Sequence, residues 1–147
     1  MFTEEELKEI KTYIHNSSDI SPIAVGCDAN YSGKNTLFAL TVGIHIDGKH
    51  GSKVFKTKFK INRRLGLREK LWREVTSVLE LASEIAPMVG KRPFEVHLDL
   101  NPKEKEASNV ILKEAVAMVN ANGYKAKVKG EGAFMATYAS DHYVRGG

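Results

Sequence analysis

Cysteine is almost missing from this sequence. Cys27 is the single one, so no disulfide can close within the chain, and a reducing, cytoplasmic location is expected. Beside Asp28 it reads as a buried, inert thiol rather than a nucleophile, since central strands hold cysteines of that kind far more often. Long apolar runs are lacking too. None approaches the ~18 residues of a membrane span, and residues 1–14 are acidic and amphipathic, unlike a signal sequence; no membrane partner is expected. Internal repeats, low-complexity tracts and linker-like segments are absent. The 147 residues are therefore expected to form one domain, 1–147, with 1–19 an N-terminal helix and linker. Neither a glycine-rich phosphate loop nor a nucleophile triad is visible, which argues against a small-molecule enzyme.

Acids are scarce in one region. Residues 53–73 hold nine basic side chains against Glu69 alone, a net of +8 within a chain whose total is +4. A positive band on a mildly acidic remainder points to a polyanion partner, although a solvated basic edge strand would look the same.

The hydrophobic pattern supplies the elements. Thr3 and Glu6 have capping-box spacing, and Leu7, Ile10 and Ile14 recur at helical intervals. The continuous apolar run through residues 23–29 predicts a buried strand. Phe38, Leu40, Val42, Ile44 and Ile46 alternate as in a strand with one face on the core. A hairpin connection follows at Asp47-Gly48, extending through Gly51. In the next strand Phe55, Thr57, Phe59 and Ile61 point one way and Lys56, Lys58 and Lys60 the other, so three lysines share an exposed face. A long amphipathic helix over 66–86 is expected to stop at Pro87. A short strand over 94–100 can lie parallel to an earlier one through a right-handed crossover. A helix after Pro102 closed by Asn122-Gly123, a last edge strand over 124–128 and a final helix over 133–144 complete the order.

Four acids stand out against these elements. Asp28 lies near the end of a buried strand, where a carboxylate needs a partner or a cation. Glu74 falls between Leu71 and Val78 on the apolar stripe of its helix, whereas Glu80 and Glu84 lie with Arg73 and Ser77 on the solvated side. Pairing of Glu74 with Arg73 or Lys70 suits that inward direction poorly. Asp99 ends the fourth strand, where it could also cap the turn before Pro102, and Asp141 shares a helix face with Phe134 and Tyr138. His97 reads as a hydrogen-bonded core histidine, and Trp72 as packed against a neighbour.

The order β-β-β-α-β-α-β-α looks like the ribonuclease H fold. The words Gly26-Cys27-Asp28-Ala29-Asn30, Gly48-Lys49-His50-Gly51, His97-Leu98-Asp99-Leu100, Ser108, Gly123-Tyr124 with Lys129, and Ala139-Ser140-Asp141 resemble, in that order, the YkuK family of ribonuclease H-like proteins. The likeness spans residues 20–144. The chain departs from the pattern at Cys27 and Ala29, where Thr and Ser are more usual, and at Asn101 and Gly130.

The resemblance implies an α/β fold with a mixed five-stranded sheet, three antiparallel strands followed by β-α-β units, flanked by helices and preceded by an extra N-terminal helix. By position it implies Asp28, Glu74, Asp99 and Asp141 as catalytic metal ligands. Such a cluster of carboxylates suits Mg²⁺ or Mn²⁺, two ions if active. Lys56, Lys58, Lys60, Arg63, Arg64 and Arg68 would track a nucleic-acid backbone without reading bases. Two functions follow as expectations: a divalent-metal nuclease acting on RNA, RNA-DNA hybrid or structured DNA, or a non-catalytic nucleic-acid-binding or scaffold domain of the same fold.

Overall fold

The computed structural model describes residues 1–45, 51–98 and 105–128, with the backbone alone at 105–109. Among these, helix α1 (Glu4–His15) precedes strands β1 (Ile23–Ser32), β2 (Asn35–His45) and β3 (Ser52–Ile61). Helix α2 (Leu67–Val89), β4 (Phe94–Leu98), α3 (Lys105–Ala121) and β5 (Lys125–Val128) follow. Asp99, Asp141, most of the expected hairpin connection and the expected final helix lie outside the described residues.

Local chemistry sets the ends of the elements. Thr3 Oγ1 accepts from the Glu6 amide at 3.1 Å while the Glu6 carboxylate accepts from the Thr3 amide at 2.9 Å, so the expected capping box starts α1. Gly123, past the end of α3, has φ +84°, a backbone state that glycine enters without steric cost. Pro87 does not stop α2, contrary to the sequence expectation; the helix runs on to Val89 and ends at Gly90, φ +60°. The proline removes one bond in the last turns, to the carbonyl of Ser83, at a place where both residues are exposed, which lowers the cost of the lost bond.

The sheet order is β3-β2-β1-β4-β5. The pairs β1-β2 and β2-β3 are antiparallel, and β4 and β5 join in parallel through the α2 and α3 crossovers, as the sequence order predicted. Val25, Cys27, Leu40, Val42, Val96 and Leu98 pack with Val75, Val78, Leu81 and Ile85 of α2, joined by Ile10 and Ile14 from α1. Arg92 fastens α1 to this core: its guanidinium donates to the Ser17 carbonyl at 2.9 Å and the Ser18 carbonyl at 3.0 Å.

Burial departs from expectation in two places. Strand β2 is buried on both faces from Phe38 to Ile44, not on one, because it lies inside the sheet and its alternate residues Ala39, Thr41 and Gly43 are small. Ser77 is buried although its helical position looked solvated. Edge strand β3 keeps the predicted alternation, with Lys56, Lys58 and Lys60 exposed and Phe59 stacked on Phe38 at 4.8 Å between centroids.

Candidate functional site

Asp28 follows Cys27 on the central strand, where β1 is flanked by β2 and β4. It is 8% exposed, and Asn30 Nδ2, two residues on and therefore on the same face, lies 3.5 Å from its Oδ2. Glu74, on α2, is 4% exposed, in keeping with its place on the apolar stripe. Both carboxylates act on one thiol. Burial pushes Cys27 well above the ordinary thiol range, and the negative charges of Glu74 and then Asp28 push it further the same way. Two acids 46 positions apart in the sequence thus both oppose ionisation of the Cys27 thiol, which stays protonated.

Asp99 and Asp141 are outside the described residues. Leu98, immediately before Asp99 in sequence, is paired with Cys27. Among the described residues, no three His, Cys, Asp or Glu side chains come together so as to hold a metal ion.

Lys70, which the sequence offered as a Glu74 partner only against that residue's inward direction, is found beside it. It lies one turn before Glu74, is itself 8% exposed, and places Nζ 3.9 Å from Glu74 Oε1 and 5.5 Å from the centroid of the Tyr31 ring. The pairing that seemed to conflict with an inward Glu74 is possible because the lysine is drawn inward as well. Tyr31 is fixed by its hydroxyl, which donates to the Leu65 carbonyl at 2.7 Å, and the Arg64 guanidinium lies 4.1 Å from its ring centroid. The signal for this group was weak in sequence, since Tyr31 meets Leu65 and Arg64 only through the fold.

The basic residues fall into two sets. Lys58 pairs in register with Ala39, and Ala39 with Asp28, so Lys58 and Asp28 share one sheet face at a separation of two strand spacings, about 10 Å. Lys56 and Lys60 flank Lys58 on that face. The arginines instead serve the connection into α2. Arg63 makes a two-point pair with Glu69, and its hydrogen bonds hold the Glu69 carboxyl below the usual carboxylate range. Arg64 donates to the Gly33 carbonyl at 3.0 Å, and Arg68 is exposed.

His97 is 4% exposed. Its Nε2 lies 3.5 Å from Glu95 Oε1, while Nδ1 has no hydrogen-bond partner among the described residues. Burial holds its pKa below the ordinary histidine value, partly offset by Glu95. Trp72 packs against Leu71 and Ile111, as expected of a packed rather than a stacking tryptophan. A cleft of about 250 Å³ runs past Trp72, Arg63 and Arg73 on the outer side of α2; neither Asp28 nor Glu74 lines it.

No curated protein matches the sequence. The chain is similar to the solved structure of RNase H1 from the halophilic archaeon Halobacterium salinarum NRC-1, at 11% identity over 86% of this chain and 99% of that one, with a TM-score of 0.43. It is also similar to NurA with manganese, at 13% identity over 85% of this chain but 41% of that one, with a TM-score of 0.28. The model of the family described as Ribonuclease H-like matches residues 5–145. With nearly the whole chain inside that match, the protein belongs to the ribonuclease H-like family, the YkuK family whose local words it carries.

Proposed function

We propose that the protein is a divalent-metal-dependent nuclease that hydrolyses phosphodiester bonds in RNA, RNA-DNA hybrid or structured DNA. The observation that carries this reading is the burial of two carboxylates, Asp28 on β1 and Glu74 on α2, both near enough to Cys27 for their charges to raise its pKa. Desolvating a carboxylate is unfavourable unless it is paired or shares its space with a cation. Their oxygen-only chemistry fits Mg²⁺ or Mn²⁺ rather than a soft metal.

In this reading Asp28 and Glu74 hold the metal together with Asp99 and Asp141, the latter two assigned from their positions in the sequence. Two such ions, when bound, supply an activated water and charge stabilisation at the departing oxygen. The protein's own residues do the rest. Lys56, Lys58 and Lys60, on the face that carries Asp28, hold the phosphate backbone on that side of the sheet. Because these are point charges on an edge strand, recognition follows backbone geometry rather than base identity. Cys27, kept protonated, takes no part as a nucleophile.

The Lys70–Glu74 pair favours a second reading, in which the lysine replaces metal and the chain is a non-catalytic nucleic-acid-binding or scaffold domain. Incubation of labelled single-stranded RNA, hybrid and branched DNA with Mn²⁺ or Mg²⁺ separates the two. The nuclease reading expects metal-dependent products that EDTA and Asp28→Asn abolish. Binding without cleavage of any of the substrates in either metal contradicts it.

A further inference from the structure

Lys70 has no role in the nuclease reading, yet its position is costly. Lysine usually keeps its ammonium in water while its stem covers apolar surface, whereas here the residue is 8% exposed. It also stands in the opening turns of α2, which begins at Leu67, where the helix dipole disfavours a cation. What offsets both effects is tertiary. Glu74 Oε1 lies 3.9 Å from Nζ, and the Tyr31 ring, 5.5 Å away, offers a π face. Tyr31 is itself fixed through Leu65 and Arg64.

We infer that Lys70 is a resident counter-ion of the carboxylate pocket: it neutralises Glu74 when no metal is bound and lowers the pocket's affinity for divalent cations. A unit positive charge 3.9 Å from a ligand oxygen repels an entering dication. Loading with metal then requires the ammonium to leave Glu74, and the Tyr31 face, 5.5 Å away, offers one alternative contact. The pocket is thereby held together at low metal and fills only when the concentration of dication is high enough to displace the lysine. The inference rests on the nuclease reading for the identity of the pocket, and adds how its occupancy is regulated.

The test uses the full chain without nucleic acid, titrated with MnCl₂ in a calorimeter and melted in EDTA. Lys70→Met is expected to bind Mn²⁺ at least about tenfold more tightly than the wild type and to melt lower in EDTA, with the gap narrowing in saturating Mn²⁺. Lys70→Arg, which keeps the charge, is expected to retain wild-type affinity. Should Lys70→Met not fold, Lys70→Gln carries the same comparison. Unchanged or weaker Mn²⁺ binding by the uncharged variant overturns the inference. Where that equal binding is abolished by Asp28→Asn, the nuclease reading stands without it. Absence of Mn²⁺ binding in every protein, or binding indifferent to Asp28→Asn, overturns both.

Discussion

Lys70 and Glu74 are one turn apart on α2, both buried, with the ammonium nitrogen 3.9 Å from Glu74 Oε1. A pair of this kind contributes little against two apolar residues, but breaking it strands a buried charge. Glu74→Ala is therefore expected to lower stability in EDTA by about 3 kcal/mol. The double variant Lys70→Gln with Glu74→Gln should lose less than the two single substitutions together. Urea denaturation of the four proteins measures the coupling, and strict additivity would show that the contact carries no energy.

The thiol of Cys27 is expected to be inert in the folded protein. Burial and two neighbouring carboxylates all oppose its ionisation, and only the thiolate reacts. Alkylation by iodoacetamide at about pH 8 should be at least about 100-fold slower than in guanidinium chloride, where the thiol regains its ordinary pKa. Labelling at equal rates in both would contradict the burial of Cys27.

His97 gives the fold a pH dependence of definite sign. Its folded-state pKa lies below the ordinary 6.5, through burial first and against the opposing pull of Glu95; Lys127, its register partner on β5, adds to the lowering. The unfolded chain therefore binds a proton at higher pH than the folded chain. The stability it contributes is complete above about pH 6.5 and is lost as pH falls through the lower folded value. Replacement by Gln should flatten the stability-pH curve between about pH 7 and 5, read by thermal melts. A curve as steep as that of the wild type would assign the slope to other groups.

Lys56, Lys58 and Lys60 should matter to binding through charge. If all three contact phosphates, replacing them with Ala lowers the slope of log K against log salt by up to about 2.7 for duplex substrate, with little change between sequences. An unchanged slope would leave the β3 face as a solvated edge that only discourages sheet-to-sheet pairing.

Much of the fold was legible because it is written in local periodicity. The alternation of Phe55, Thr57, Phe59 and Ile61 with lysines gave the edge strand, the Thr3–Glu6 spacing gave the start of α1, and a helix between antiparallel and parallel strands gave the crossover. Pro87 misled, since a proline near the end of a helix can be carried through its last turn, and the exposure of Ser83 and Pro87 is a property of the folded surface. The burial of two acids was legible: Glu74 is buried on α2 and Asp28 on β1, as their positions on apolar runs suggested. Lys70 was not. It belongs to a basic run that reads as solvated, and its burial depends on Tyr31, 39 positions away and brought near by the β1 hairpin and the Leu65 carbonyl. Contacts made across such distances leave no mark in spacing or composition.

The central claim is that the buried carboxylates form a site for divalent ions. A crystal of the full chain soaked in MnCl₂, with data collected at the manganese absorption edge, tests it most directly. The account predicts an anomalous peak bridging Asp28 and Glu74, with carboxylate oxygens at roughly 2.2 Å and the Lys70 ammonium moved away from Glu74. A pocket without a peak at saturating Mn²⁺, with Lys70 still on Glu74, would contradict it.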